Sequence, residues 1–163
     1  MVNDGRMRTE RFEQGIEREV DESALYSDRT GLIGVDPEVT RNLIEIVRCL
    51  GAGNLIAEKF YRNGIDRDAD SLLNQHGIKH LHLHEDTEVD ALLFLVEYST
   101  FVVLLEVDGH RQHFQKPQGA VLRSLHDSAI RHADAKAAKL RADKIVKVRR
   151  GLLPRSSGET GDA

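Results

Sequence analysis

Two apolar runs set two residues apart limit the fold of this chain more than any other feature. Asp90 to Tyr98 and Phe101 to Asp108 flank Ser99-Thr100, and both are apolar at successive positions rather than at alternate ones. A strand with one wet face alternates, whereas one that stays apolar is covered on both sides. The pair therefore predicts the middle of a sheet held between other layers. Just upstream, Ile78 to His84 alternates strictly, with Leu81 and Leu83 on one face and His80, His82 and His84 on the other. With the polar loop from Glu85 to Val89 as its first turn, this segment completes a three-stranded antiparallel meander.

Helices surround the meander in the sequence. Asp36-Pro37-Glu38 supplies a start, with Asp36 as N-cap and Pro37 where its missing N–H costs nothing. Val39, Leu43, Ile46, Val47 and Leu50 then form one face, and Gly51-Ala52-Gly53 stops the helix. No Gly-Lys-Ser/Thr follows those glycines, so they read as a helix stop rather than a phosphate loop. A second helix is expected from Asn54 to Asn63-Gly64, and a third from Asp66 to His76-Gly77. After Pro117 a long helix is predicted, with Val121, Leu125, Ala129, Ala133, Ala137 and Leu140 inward; small residues at that spacing permit close packing or a helical partner. The expected fold is α+β: N-terminal helices, a three- to four-stranded mainly antiparallel β-meander, and a long C-terminal helix.

Residues 31–150 are expected to form one domain and 151–163 a flexible tail. Residues 1–30 read as a charged extension, disordered or helical; Phe12, Ile16 and Val20 recur every four positions. Leu32 to Val35 suggests a small strand. No apolar run approaches the ~20 residues of a membrane helix, and residues 1–6 carry no secretory pattern, so a cytoplasmic protein that does not engage a membrane is expected. The single Cys49 excludes an intramolecular disulfide, and its apolar helical context suggests an inert thiol. The net charge of −4 conceals an asymmetry: residues 1–38 hold ten acidic and five basic side chains, and residues 123–155 hold ten basic and three acidic. A basic C-terminal segment of that kind can attract phosphates.

In a meander, strands one and three run the same way, so the end of strand one, the start of strand two and the end of strand three share an edge. Those positions are His84, Asp90 and His110, with His82 close by and Arg111, His113 and Phe114 following within a turn. Imidazoles, a carboxylate, a guanidinium and an aromatic ring are the groups that RNA cleavage without a metal requires. One takes the proton of a ribose 2′-hydroxyl, another protonates the leaving 5′-oxygen, and a cation balances charge on phosphate. Histidine, with an unperturbed pKa of about 6.5, suits both transfers, and an aromatic ring can stack on an unpaired base.

The pattern Asp90-Ala-Leu-Leu-Phe-Leu-Val-Glu-Tyr, then Val102-Val-Leu-Leu-Glu-Val-Asp-Gly-His110-Arg-Gln-His113-Phe114, resembles the end of the RelE/ParE toxin superfamily, in particular its YafQ-like branch. The resemblance implies a small bacterial endoribonuclease toxin that cuts mRNA on the ribosome, needs no cofactor and is paired with an antitoxin protein. It also implies that Asp90, His110 or His113, and Phe114 are site residues, with His82 or His84 as a further histidine; Arg111 is then the cation at hand for phosphate.

Other readings use the same residues. His-x-His on a strand puts alternate imidazoles on one face, which suits zinc if His110 or Asp90 completes the set. Alternatively His80 and His82 are half-buried polar residues held by hydrogen bonds. No serine sits on a Gly-x-Ser-x-Gly turn, and His126 and His132 need no role. A non-catalytic interaction protein would use the alanine-lined helix for association and the basic end for nucleic acid.

Overall fold

The structure is a computed structural model, and it describes residues 4–23, 28–61, 71–109 and 120–152. Among the described residues four strands form one mixed sheet: β1 (Glu19–Asp21), β2 (Ile78–His82), β3 (Leu92–Glu97) and β4 (Phe101–Asp108), in the order β1-β4-β3-β2. The meander is antiparallel, with Ile78 opposite Val96 and Glu97 opposite Val102, and β1 adds to its far edge in parallel with β4. The fold is thus α+β as expected, with one parallel pairing that the meander pattern does not contain.

The two-sided apolar runs are covered on both faces. On one side lies α1 (Pro37–Ala52), whose Val39, Ile46 and Leu50 pack with Leu81, Leu83, Leu93, Leu95, Val102, Leu104 and Val107. Burial of each such side chain stabilises by about 1.5–3 kcal/mol. The predicted cap is present: the Asp36 carboxylate accepts from the backbone N–H groups of Glu38 and Val39. Gly53 ends the helix in the left-handed region at φ 69°. On the other side lie α2 (Ser71–His76) and α3 (Ala120–Leu152). Ala129, Ala133 and Ala137 of α3 are buried against Phe94, Val96, Val103 and Leu105. Leu140, expected to continue that stripe, is 38% exposed. The side chains of Val121, Leu125 and His126 lie outside the described residues.

The N-terminal region departs from expectation. Phe12, Ile16 and Val20 lie on no helix; residues 4–21 form a strap that starts beside α2 and α3, where Arg6 meets His76 O and Asp134, and then runs along the α1 face of the sheet. Met7 N–H donates to Glu97 O beside β3, Phe12 is buried in the α1-side core, and Glu19–Asp21 pairs with β4. A buried ion group fastens the strap: Glu97 pairs with Lys79 and, at 3.0 Å, with Arg18, and both cations lie over the Phe12 ring. Such tertiary partners outweigh a four-residue spacing, because a short isolated helix is marginal in water.

Three further expectations are corrected. Leu32 to Val35 is a turn, closed by Val35 N–H and Asp36 N–H on Leu32 O, rather than a strand. In place of a helix after Asn54 the chain makes a single 3-10 turn, Glu58–Phe60, which buries Phe60. The first meander strand ends at His82, two residues before the predicted His84. Among the described residues no helix is long and apolar enough to cross a membrane.

Candidate functional site at the polar end of the sheet

The end of β2, the start of β3 and the end of β4 do meet at one edge. Leu83 N–H donates to Ala91 O at 2.9 Å, and Leu92 stands opposite both His82 and Asp108. Asp90 closes this edge against Gly109: a Cβ on Gly109 would lie 2.6 Å from Asp90 Oδ2 and 3.2 Å from Asp90 O. The glycine is therefore the residue that lets the carboxylate lie on the backbone immediately before His110. Gly109 N–H donates to Asp108 Oδ1 at 2.8 Å, which fixes the turn out of β4.

Across the face that carries α3, register builds two polar rows. His80, Phe94 and Glu106 form one, and His82, Leu92 and Asp108 the other. The His80 and His82 rings meet edge to face with centroids 5.6 Å apart, and His80 leans on Phe94 at 6.2 Å. Two ladder spacings put the histidines about 10 Å from the acids. His82, Glu106 and Asp108 are all buried.

The acids reach this face through a β-bulge. Leu95 stands opposite Leu104 but Phe94 stands opposite Glu106, so Leu105 is the extra residue and the alternation of β4 reverses after it. Val107 consequently joins the α1-side core, and Glu106 and Asp108 turn to the histidine side.

Arg29 joins from the N-terminal region. Its backbone N–H donates to Val107 O at 2.9 Å, and its Nε donates to Glu106 Oε2 at 3.3 Å. The preceding residue, Asp28, anchors this segment. Partial burial opposes ionisation of its carboxyl, but hydrogen bonds from the Thr30 hydroxyl and the N–H groups of Ile33, Thr30 and Gly31 prevail and hold its pKa below the ordinary value.

His84 lies at the same end of the sheet but toward α1. Its Nε2 is 3.3 Å from Glu38 Oε2 and 3.6 Å from Asp36 Oδ2, and its Nδ1 accepts from Asp86 N–H at 2.9 Å. An accepting Nδ1 carries a lone pair, so the ring proton of the neutral form belongs on Nε2, facing the carboxylates. The structure thus separates His84 from His82 and keeps His80 beside His82, as the alternation of the strand places it. His110, Arg111, His113 and Phe114 lie outside the described residues.

Three residues near this edge escape a reading of the sequence: Arg29, Glu106 and Asp108. Simple alternation assigns both acids to the opposite face, and nothing in the sequence announces the bulge. Among the described residues no group of three His, Cys, Asp or Glu side chains is arranged to hold a metal ion. The chain matches no protein-family model, no curated protein and no solved structure.

Proposed function

We propose that this protein is a RelE/YafQ-like endoribonuclease toxin that cleaves mRNA in the cytoplasm by metal-independent general acid–base catalysis. The observation that supports this most is the lodging of the Asp90 carboxylate against Gly109, directly before His110-Arg-Gln-His113-Phe114, with the His82 strand end beside it. In this reading Asp90 and His82 assist removal of the 2′-hydroxyl proton. The 2′-oxygen attacks the adjacent phosphorus and the bond to the 5′-oxygen breaks. His110 or His113 protonates that oxygen, Arg111 balances the charge on phosphate and Phe114 stacks on a base. The products are a 2′,3′-cyclic phosphate and a 5′-hydroxyl. His84 is given no proton-transfer role, because its ring is committed to Asp86 N–H and the α1 carboxylates.

The partners of this reading are RNA, read on the ribosome, and an antitoxin protein. Its test is expression in a bacterial host with growth as readout. Arrest is expected, with relief by Asp90→Asn and by His110→Ala, since a positioned acid or base contributes about 10²–10⁴-fold. Arrest that survives both substitutions, or cleavage by the purified protein that leaves a 5′-phosphate or stops with chelator, overturns the proposal.

A further inference from the structure

The alanine stripe of α3 changes character where the helix leaves the sheet. Ala129, Ala133 and Ala137 are buried; one, two and three turns on, the same side of the helix carries Leu140, Lys144 and Lys147. All residues from 138 to 152 are exposed. That segment holds six cations (Lys139, Arg141, Lys144, Lys147, Arg149, Arg150) and one anion, Asp143, in a chain whose net charge is −4. At 1.5 Å per residue it is a rod of about 22 Å.

The rod leaves the sheet at the end away from Asp90. Asp134 accepts from Tyr98 Oη at 2.7 Å beside the β3–β4 turn, and Arg141 donates to Asp4 O at 2.6 Å. Lys136 is held at Asp21 and Glu19. Asp134 and Lys136 anchor the helix just before the basic segment starts, and Arg141 ties the first turn of that segment to Asp4.

We infer that residues 138–152 are a docking element for the phosphodiester backbone of nucleic acid, separate from the polar edge of the sheet. Apart from Arg141, the five cations occupy an arc of about 220° around the helix axis. Val146 and Asp143 lie among them, and the other side carries Ile145, Val148 and Leu152 with Arg141 in their midst. A helix that lies on a membrane or in a protein groove presents a broad uncharged apolar stripe, whereas here Arg141 interrupts the three apolar residues. A rod with cations around most of its circumference fits a ligand that presents phosphates on more than one side. The inference does not depend on the proposed cleavage chemistry.

The test uses the full chain and fluorescence anisotropy with a labelled 2′-O-methyl oligouridine, which lacks the attacking hydroxyl and cannot be cleaved by the proposed route, and with a labelled DNA duplex. Lys144→Gln/Lys147→Gln/Arg150→Gln removes three exposed cations and retains residues that favour helix, with circular dichroism confirming the fold. For the single strand, the slope of log K against log salt concentration is expected to shrink by about 2, and for the duplex by nearly 3. Binding at 50 mM salt should weaken at least tenfold. The arm that shows the larger loss identifies the strandedness of the target. An unchanged slope in both arms overturns the inference. So does tighter binding to phosphatidylcholine–phosphatidylserine vesicles than to either oligonucleotide. Failure of the growth-arrest assay with these results intact would remove the proposed function and leave the docking element.

Discussion

Replacing Glu97 by glutamine isolates the device that holds the N-terminal strap. The carboxylate serves two cations, Arg18 at 3.0 Å and Lys79, and the side chains of all three are no more than 5% exposed. The substitution keeps the shape of the side chain and removes its charge, leaving two buried cations side by side. Loss of one member of a buried ion pair costs about 3–5 kcal/mol, roughly a fifth or more of the stability of an ordinary domain. Arg18 cannot shed its proton, but Lys79 can. Burial, reinforced by the charge of Arg18 and opposed by Glu97, already holds the Lys79 pKa below its ordinary value, and loss of Glu97 lowers it further. A lysine whose folded pKa is depressed binds fewer protons folded than unfolded between that pKa and the unfolded value, so stability rises with pH across this window. The window opens lower in the variant. The difference between wild type and Glu97→Gln should therefore be largest near pH 7 and narrow as pH rises toward the ordinary lysine value of about 10.4. Urea unfolding followed by circular dichroism at pH 7 and pH 9.5 measures both quantities. A loss below about 1 kcal/mol at pH 7, or a difference independent of pH, would refute the argument that the three charges share a buried site.

Three other perturbations probe separate links. Gly109→Ala forces a Cβ against the Asp90 carboxylate and should lower the unfolding free energy by about 1–3 kcal/mol; in the growth assay it should abolish arrest at an expression level equal to wild type. Gly53→Ala meets Ile16 and Glu17 backbone atoms at 2.8–2.9 Å in the left-handed region, whereas Gly34→Ala, also left-handed, meets nothing within 4 Å. The first should cost about 2–4 kcal/mol and the second about 1–2, read as the difference in urea midpoints. Asp21 is partly buried, which opposes ionisation, but hydrogen bonds from Lys136 and Ser23 prevail and hold its pKa at about 2. This stability is present above the unfolded value of about 3.9 and is lost as pH falls toward 2. Lys136→Met should thus cost up to about 2 kcal/mol at pH 6, a difference that disappears in acid unfolding by pH 2.

The parts of the fold visible in the sequence are those fixed by local signals or by period. The Asp36-Pro37 start, the Gly53 stop and the doubly covered strands β3 and β4 all belong to this class. β1 does not: three residues, two of them acidic, carry no strand pattern, and they pair with β4 because Arg18 and Phe12 find partners on Lys79 and Glu97. The convergence of strand ends at Asp90 follows from strand direction alone, and the Asp90–Gly109 contact agrees with it. Side-chain direction at that edge could not be read in the same way. His84 lies past the last ladder pair of β2, where alternation no longer binds it, and Asp36 and Glu38 draw its ring toward α1. Glu106 and Asp108 lie past a one-residue bulge, which inverts every assignment beyond it.

The strap also has a history within each molecule. Arg18 precedes Glu97 by 79 residues, so at synthesis rates of about 5–20 residues per second it emerges some 4–16 s before its counter-ion exists. For that interval the strap can meet Leu50, Gly53 and Tyr61, but Arg18 lacks its counter-ion and the parallel pairing of β1 must wait for β4. The segment that fastens the sheet is thus among the last to settle, and its long-range pairings raise contact order and slow folding. A nascent chain halted before residue 97 would carry a strap that can rest on α1 but is not yet locked to the sheet.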